Sequence, residues 1–542
     1  MSIRTLTGEN YFSMVRSGAS TLASNRKSVN DLNVFPIPDG DTGDNMFMTI
    51  DSGCSSAVSV SDRALSEVAS SISSGMLFGA RGNSGVILSR IFAGISKGLE
   101  GLSEADVEQW KKAMHCGVDE SYGAVATPVE GTILTVFRMA VQVADNCDSG
   151  DFESYFEMLC TEMAAALERT PDQLDVLKKA GVVDSGGAGL VYIFEGMKAA
   201  LSGKTVEYAG TSSGASATKI DLSAFTEDSE LEFGYCTEFL LRLQTSKVDL
   251  GSFDETVIRD YLEVAGDSLV FFRDGSIIKV HVHTRRPGEI LNKCQEWGEY
   301  LTIKVENMTL QHHENRMDEK FGKGPRKGTA TVVVASGNGV VRTFRDMGAD
   351  EVIEGGQTMN PSAESFLRAF EKVNADRIFV FPNNSNIILT AQQAASLFKG
   401  SEIFVIPSKS IGAGYAAFGS IDFSEEDSEQ ILSQADEAIE SVVTGMISRA
   451  VRDTAEVSKN DYIGFVSSEI LCGSTDRNTA ALELCDKLEA GNYDVILIFR
   501  GADTPADDAE ELRTALESRY RRSEVIMTDG GQGVYDYIFV LE

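Results

Sequence analysis

A chain of 542 residues is too long for one ordinary hydrophobic core, so two to four domains are expected. Hydrophobic residues at 42% and charged residues at 24% give the balance of a globular protein, which argues against disorder. A formal charge of −34 and a pI near 4.6 argue against broad binding to nucleic acid or to an anionic membrane surface, so an enzyme of this charge that handles polyphosphate must gather positive potential locally.

From residue 7 to about residue 200, apolar residues recur at three- and four-residue spacing, and helices are expected at 86–94, 132–144, 152–168 and 190–201. This predicts an all-α N-terminal domain over 1–202. Residues 203–226 include Gly-Thr-Ser-Ser-Gly-Ala-Ser-Ala-Thr, which has no bulky apolar anchor and reads as a flexible linker. A middle domain over 227–325 runs strand 235–243, helix 253–264, strands 268–272 and 276–283, helix 287–298 and strand 301–307. That order is the split β-α-β of a ferredoxin-like α+β domain, with Arg273-Asp274-Gly275 as its hairpin turn. From 326 to 542, strands expected at 331–335, 377–381, 402–406, 461–466 and 495–499 alternate with helices, which predicts an α/β domain with a largely parallel sheet. The eight cysteines are scattered from Cys54 to Cys485, and no signal peptide or membrane span is evident, so a reducing cytoplasm is the expected compartment.

The segment Asn33-Val-Phe-Pro-Ile-Pro-Asp39-Gly-Asp41-Thr-Gly-Asp44-Asn45-Met46 places three carboxylates within six residues at the start of a helix. Hard oxygen ligands so close together suit Mg²⁺, which takes a few carboxylates and keeps positions for water and phosphate oxygens. The plainer alternative is a solvated acidic turn. An EF-hand is excluded, because counting from Asp39 puts Asp44 where Gly is required and Ile50 where Glu is required.

Three further Gly-rich segments each precede a helix: Gly79-Ala80-Arg81-Gly82-Asn83-Ser84-Gly85, Thr127-Pro128-Val129-Glu130-Gly131-Thr132, and Asp184-Ser185-Gly186-Gly187-Ala188-Gly189. Glycine lets backbone N–H groups approach an anion at a helix N-terminus. One such segment is commonplace, but three beside an acidic cluster are not. Neither a P-loop nor a dinucleotide fingerprint fits the spacings. In the middle domain, Lys279-Val280-His281-Val282-His283 alternates on a predicted strand and sends both histidines to one face. Cys236 on the first strand neighbours the third in a ferredoxin-like sheet, and Cys/His/His is a sensible Zn²⁺ set. The competing reading is a pair of surface histidines and an unrelated core thiol. His312-His313 has no spaced partner and is expected to face solvent.

The acidic loop and the Gly-rich segments, in this order, resemble the nucleotide-binding domain of dihydroxyacetone kinases. That resemblance implies an eight-helix barrel holding ATP through two Mg²⁺ ions. Asp39, Asp41 and Asp44 would be the metal ligands, with Thr42 and Asn45 beside the phosphates. Ala80, Arg81, Gly82, Asn83 and Ser84 would cover the phosphates, and Gly131, Thr132, Asp184, Gly186 and Gly187 would line the pocket. No domain carrying dihydroxyacetone on a histidine is evident, and the three-part layout instead resembles the kinase component of Gram-positive fatty acid kinases. This implies phosphorylation of a fatty acid carried by a separate fatty acid binding protein, with Cys236, His281 and His283 forming a polar site and the enzyme acting as a homodimer. The C-terminal domain, with Gly-Gly-Gln-Thr358-Met359-Asn360-Pro361-Ser362, resembles the lobe of the fatty acid binding proteins themselves. Docking or dimerisation is expected of it rather than lipid binding. The alternatives are a small-polyol kinase and an ATP-sensing scaffold.

Overall fold

The computed structural model describes residues 3–33, 40–58, 60, 64–203, 235–249, 253–274, 276–307, 326–356, 360–451, 453, 457–467 and 469–542. Asp39, nearly all of the expected linker, His312-His313 and Thr358-Met359 lie outside them. By packing, the chain divides into two compact units, one formed by Met1–Ser213 with Arg326–Glu542 and the other by Gly214–Pro325.

The N-terminal part of the first unit is helical: α1 (Gly8–Leu32), α2 (Thr42–Ala57), α3 (Leu65–Gly79), α4 (Gly82–Gly98), α5 (Val107–Gly123), α6 (Ile133–Ala144), α7 (Phe152–Glu168), the short α8 (Thr170–Gln173) and α9 (Asp175–Ala180), and α10 (Ser185–Leu201). Two short strands, β1 (Leu6–Thr7) and β2 (Glu104–Ala105), pair antiparallel at its edge. Each long helix turns an apolar stripe inward. The shared core is centred on Trp110, whose ring lies 5.8 Å from Tyr11, 6.3 Å from Phe152 and 6.0 Å from Phe156. Caps set several boundaries: Asp151 accepts from the Ser154 amide, and Asp106 forms a reciprocal capping box with Gln109.

The second unit contains β3 (Tyr235–Leu243), α11 (Thr256–Ala265), β4 (Asp267–Asp274), β5 (Ile277–Thr284), α12 (Pro287–Cys294) and β6 (Gly298–Asn307). The sheet order is β4-β5-β3-β6 and all its pairs are antiparallel. Period-two alternation puts Phe239, Leu241, Ile278, Val280 and Val282 in the core with Ile258, Leu262 and Ile290 from the helices.

The C-terminal part of the first unit, from Arg326, carries two sheets. Strands β7 (Lys327–Ala335), β8 (Glu351–Glu354), β9 (Ala375–Phe381) and β10 (Glu402–Val405) pair in parallel, in the order β10-β9-β7-β8. A second sheet of β11 (Val443–Arg449), β12 (Tyr462–Val466), β13 (Glu469–Ser474), β14 (Val495–Arg500), β15 (Glu524–Asp529) and β16 (Tyr537–Leu541) has the order β13-β12-β11-β16-β14-β15. Its pairs are antiparallel except β14 with β15. The expectation of a largely parallel sheet therefore holds only for the first sheet. In the second, β13 begins at Glu469 directly after β12 ends at Val466, too close for the crossover a parallel pair needs. A shared core from both sheets, including Val333, Phe379 and Phe381 with Met446, Phe465 and Ile538, packs between them.

This α/β part seats on the helical part through α3 and α4. Gln393 donates from Nε2 to the Leu77 carbonyl at 2.7 Å and accepts at Oε1 from Arg90 Nε at 3.0 Å. The Ala363 amide donates to the Ala80 carbonyl at 3.2 Å, and Arg81 forms an antiparallel bridge with Ser362. Among the described residues no helix is long and apolar enough to cross a membrane.

Candidate functional site

Four helix N-termini of the helical part converge on one cavity of about 1110 Å³. Asp41, Thr42 and Asn45 reach it from the start of α2, Asn83 and Ser84 from α4, Thr132 and Ile133 from α6, and Asp184, Ser185 and Gly186 from α10. Helix N-termini carry backbone N–H groups and a positive partial charge, so their convergence favours a polyanion in a chain of net negative charge. The N-cap residues of α4 and α6 make no side-chain cap bond, whereas Asn30 caps α2 and Asp184 accepts from the amides of Gly187 in α10 and Ile133 in α6.

Two glycines are required by the backbone. Gly82 has φ +58, and a Cβ there would lie 2.6 Å from Asn45 Nδ2 and 3.2 Å from Asn360 Nδ2. Gly131 has φ +83 and turns the chain into α6, its amide donating to Thr135 Oγ1 at 2.8 Å.

Asp41 is 6% exposed and occupies the N-cap position of α2, yet its side chain makes no cap bond. Asn30 supplies that cap instead, its Oδ1 accepting from the Gly43 amide at 2.7 Å and the Asp44 amide at 3.2 Å. The carboxylate of Asp41 accepts instead from Asn360 Nδ2 at 2.7 Å. Asp44 is oriented by Arg26 Nε at 3.0 Å and Asn30 Nδ2 at 2.6 Å.

Asp184 is half-buried and accepts from the Gly187 amide at 2.6 Å. Desolvation raises its pKa to about 6, against the lowering effect of the Gly187 and Ile133 amides. Because the folded value lies above the unfolded carboxylate value, ionising Asp184 costs native stability. The penalty is absent below the unfolded pKa, grows through the interval up to about 6, and is complete above it. Asp184→Asn retains a cap acceptor and removes the charge. In metal-free urea unfolding it is expected to stabilise the protein at pH 8 by about 1–2 kcal/mol, discounted for partial exposure, with the gap shrinking toward pH 5.5. A gap that does not change with pH would contradict this assignment.

Of the residues expected at the site, Asp41, Thr42, Asn45, Asn83, Ser84, Thr132, Asp184 and Gly186 line the cavity. Ala80 is buried behind it, Arg81 turns to the Asn360 carbonyl at 2.9 Å, and Gly187 supports Asp184 from the first turn of α10. Asp44 and Gly131 are not among the lining residues, and Asp39 is outside the described residues. Sequence reasoning missed the opposite wall, which comes from the α/β part: the polar Ser336, Asn383, Lys409 and Ser410 and the apolar Ile411, Val442, Met446 and Ile538. Lys409 is the only Lys or Arg among the described lining residues. The side-chain oxygens of Asn83, Asn360, Asn383 and Gln532 are buried there or nearby without a hydrogen-bond partner.

In the second unit, backbone register sets Cys236 opposite His283 and Glu238 opposite His281 on adjacent strands. The side chains of Cys236, His281 and His283 lie outside the described set, and among the described residues no three His, Cys, Asp or Glu side chains form a metal cage. The expected zinc therefore gains no support from the structure.

Comparisons with known proteins agree with this division. The DAK2 domain family matches residues 36–199, the FakA-like middle domain of fatty acid kinases matches 232–315, and the FakA-like C-terminal domain of fatty acid kinases matches 330–542. Protein YloV of Bacillus subtilis is 38% identical over 561 residues, covering 100% of both chains. An uncharacterized protein of Staphylococcus aureus is 36% identical over 559 residues, again covering 100% of both. Among solved structures, C. freundii dihydroxyacetone kinase with AMP-PNP and Mg²⁺ has a TM-score of 0.27 at 21% identity, covering 34% of this chain and 33% of that one. The Streptococcus pneumoniae fatty acid kinase B3 protein loaded with linoleic acid has a TM-score of 0.31 at 13% identity, covering 39% and 99%. Structural likenesses of that size carry no weight for function, which rests on the residues of this chain.

Proposed function

Because the chain belongs to the FakA-like family of fatty acid kinases, we propose that it transfers the γ-phosphoryl group of ATP to the carboxylate of a fatty acid presented by a separate fatty acid binding protein. The observation that carries this reading is the convergence of four helix N-termini and the buried Asp41 on one cavity, whose opposite wall from the α/β part mixes polar residues such as Lys409 and Ser410 with apolar ones such as Val442, Met446 and Ile538. The side formed by the helix N-termini takes the triphosphate, with the backbone of Asn83 and Ser84 over its oxygens and Thr42 and Thr132 beside them.

Asp41 and Asp44, with Asp39 from the adjoining loop, would hold Mg²⁺. The fit rests on the donor set, the buried Asp41 carboxylate and the buried amide oxygens of Asn360 and Asn83 that have no donor among the described residues. When bound, the ions would neutralise the charge between two anions that must meet. The acceptor carboxylate is already ionised near neutral pH, so the chain need supply no general base. A carboxylate oxygen bonds to the γ-phosphorus, the bond from that phosphorus to the β,γ-bridging oxygen breaks, and ADP leaves with the electron pair. Lys409 and Ser410 stand where an incoming carboxylate would be steered. The test is ATP-dependent acyl phosphate formation from partner-bound fatty acid, with Mg²⁺-dependent binding of a nonhydrolysable ATP analogue as a separate readout.

The middle unit is read as a ferredoxin-like module in which Cys236, His281 and His283 form one polar site. Opposed residues on antiparallel strands have Cβ atoms roughly 5 Å apart, close enough for a shared zinc. Metal analysis of the purified full chain, with and without His283→Ala, tests the zinc version: zinc in the wild type that is lost in the variant supports it. A wild-type chain free of zinc would leave these residues a polar role only. The protein is further read as a cytoplasmic homodimer.

A further inference from the structure

Asn360 belongs to the α/β part, yet its side chain enters the kinase centre. It is 2% exposed, its Nδ2 donates to Asp41 Oδ2 at 2.7 Å, and its carbonyl accepts from Arg81 Nη1 at 2.9 Å. Its Nδ2 and that of Asn45 both crowd the position a Cβ would take at Gly82, so the two amides meet beside the phosphate-covering loop. With the amide nitrogen committed to Asp41, the Oδ1 is buried with no donor among the described residues. An unsatisfied buried acceptor is costly, and an explanation for one at a site is a ligand that satisfies it. The Asp41 carboxylate is held by the same side chain, with Asn45 Nδ2 and the Arg81 guanidinium also close, and a neutral amide oxygen next to a buried carboxylate is a donor set that a hard divalent cation takes.

We infer that Asn360 is a positioning residue for the divalent cation centre, fixing Asp41 through Nδ2 and offering Oδ1 as a neutral oxygen. The centre is therefore complete only while the α/β part is seated on α3 and α4. Residues 319 positions apart in sequence form one site. This rests on the kinase reading above only in taking Asp41 as a cation ligand.

The experiment uses the full chain with Mn²⁺ as the probe, following free Mn²⁺ by electron paramagnetic resonance in the presence of a nonhydrolysable ATP analogue. Asn360→Ala and Asn360→Leu are expected to weaken Mn²⁺ binding by about tenfold or more, the loss typical of removing a group that orients a metal ligand. Gln393→Ala loosens the same interface without touching Asp41, and is expected to change Mn²⁺ affinity by less than about twofold. Thermal unfolding of each variant checks that it remains folded. Unchanged Mn²⁺ affinity in both Asn360 variants would overturn the inference, as would an equal loss in Gln393→Ala, which would assign the effect to docking alone. Asp41→Ala in the same titration separates the two levels. If it retains full Mn²⁺ affinity the kinase reading itself fails, whereas failure confined to the Asn360 variants leaves that reading standing.

Discussion

Asp41→Ala is expected to reduce ATP turnover by about a thousandfold or more while the protein stays folded. Removing an anionic metal ligand forfeits several kcal/mol of charge stabilisation, and each ~1.4 kcal/mol is tenfold in rate. The expectation that the fold survives comes from the geometry of α2. An aspartate at an N-cap usually holds its own helix, as Asp106, Asp151, Asp184, Asp427 and Asp476 do here. Asp41 does not, because Asn30 already caps the Gly43 and Asp44 amides. Truncation therefore costs no helix cap and leaves one Asn360 donor unpaired, a loss of about 1–3 kcal/mol. Steady-state turnover, analogue binding with and without Mg²⁺, and urea unfolding together test the point. Turnover within tenfold of wild type would refute Asp41 as a metal ligand, and global unfolding would show that its role is structural.

The sequence made much of this centre legible because its first wall is local. Asp41, Thr42 and Asn45 lie in one loop and first turn, and the Gly-rich segments announce helix starts by a rule that needs no tertiary information. Helix α7 was equally plain, with Asp151 as its cap and a regular apolar period from Phe152. The second wall was not legible. Asn360 lies just before Ser362, the N-cap of the helix Ala363–Val373, and nothing local distinguishes an Asn that reaches Asp41 from one that faces water. The mixed pairing of the second sheet was hidden for a related reason. Tyr537–Leu541 is a short buried run, and periodicity cannot say that it inserts antiparallel between β11 and β14. Apolar residues such as Met446 and Ile538 look like ordinary core in sequence, so the cavity edge they form became apparent only once both sheets were placed.

Substrate choice gives the second large expected effect: no appreciable phosphorylation of free dihydroxyacetone, and clear activity with oleate or a saturated fatty acid only when a lipid-carrying partner is added. Ligand sites commonly enclose roughly 300–1,000 Å³, so the cavity of about 1110 Å³ is larger than one nucleotide and a three-carbon sugar need. Its lining is mixed: the helical part supplies Asp41, Asn45, Asn83 and Ser185, and the α/β part supplies Lys409 and Ser410 together with Val442, Met446 and Ile538. A polyol makes no use of the apolar lining residues, whereas a carboxylate on a hydrocarbon chain has partners of both kinds. The carrier is required because in-line transfer needs the carboxylate held within about 3–3.5 Å of the γ-phosphorus, and a fatty acid free in solution pays the full entropy of reaching that geometry. Acyl phosphate can be trapped with hydroxylamine and ADP release followed in parallel. Robust phosphorylation of dihydroxyacetone by the chain alone, with none of partner-bound fatty acid, would transfer the assignment to small-polyol kinases. ATP binding with no transfer to either acceptor would favour an ATP-sensing scaffold, for which the buried Asp41 would have to serve nucleotide binding alone.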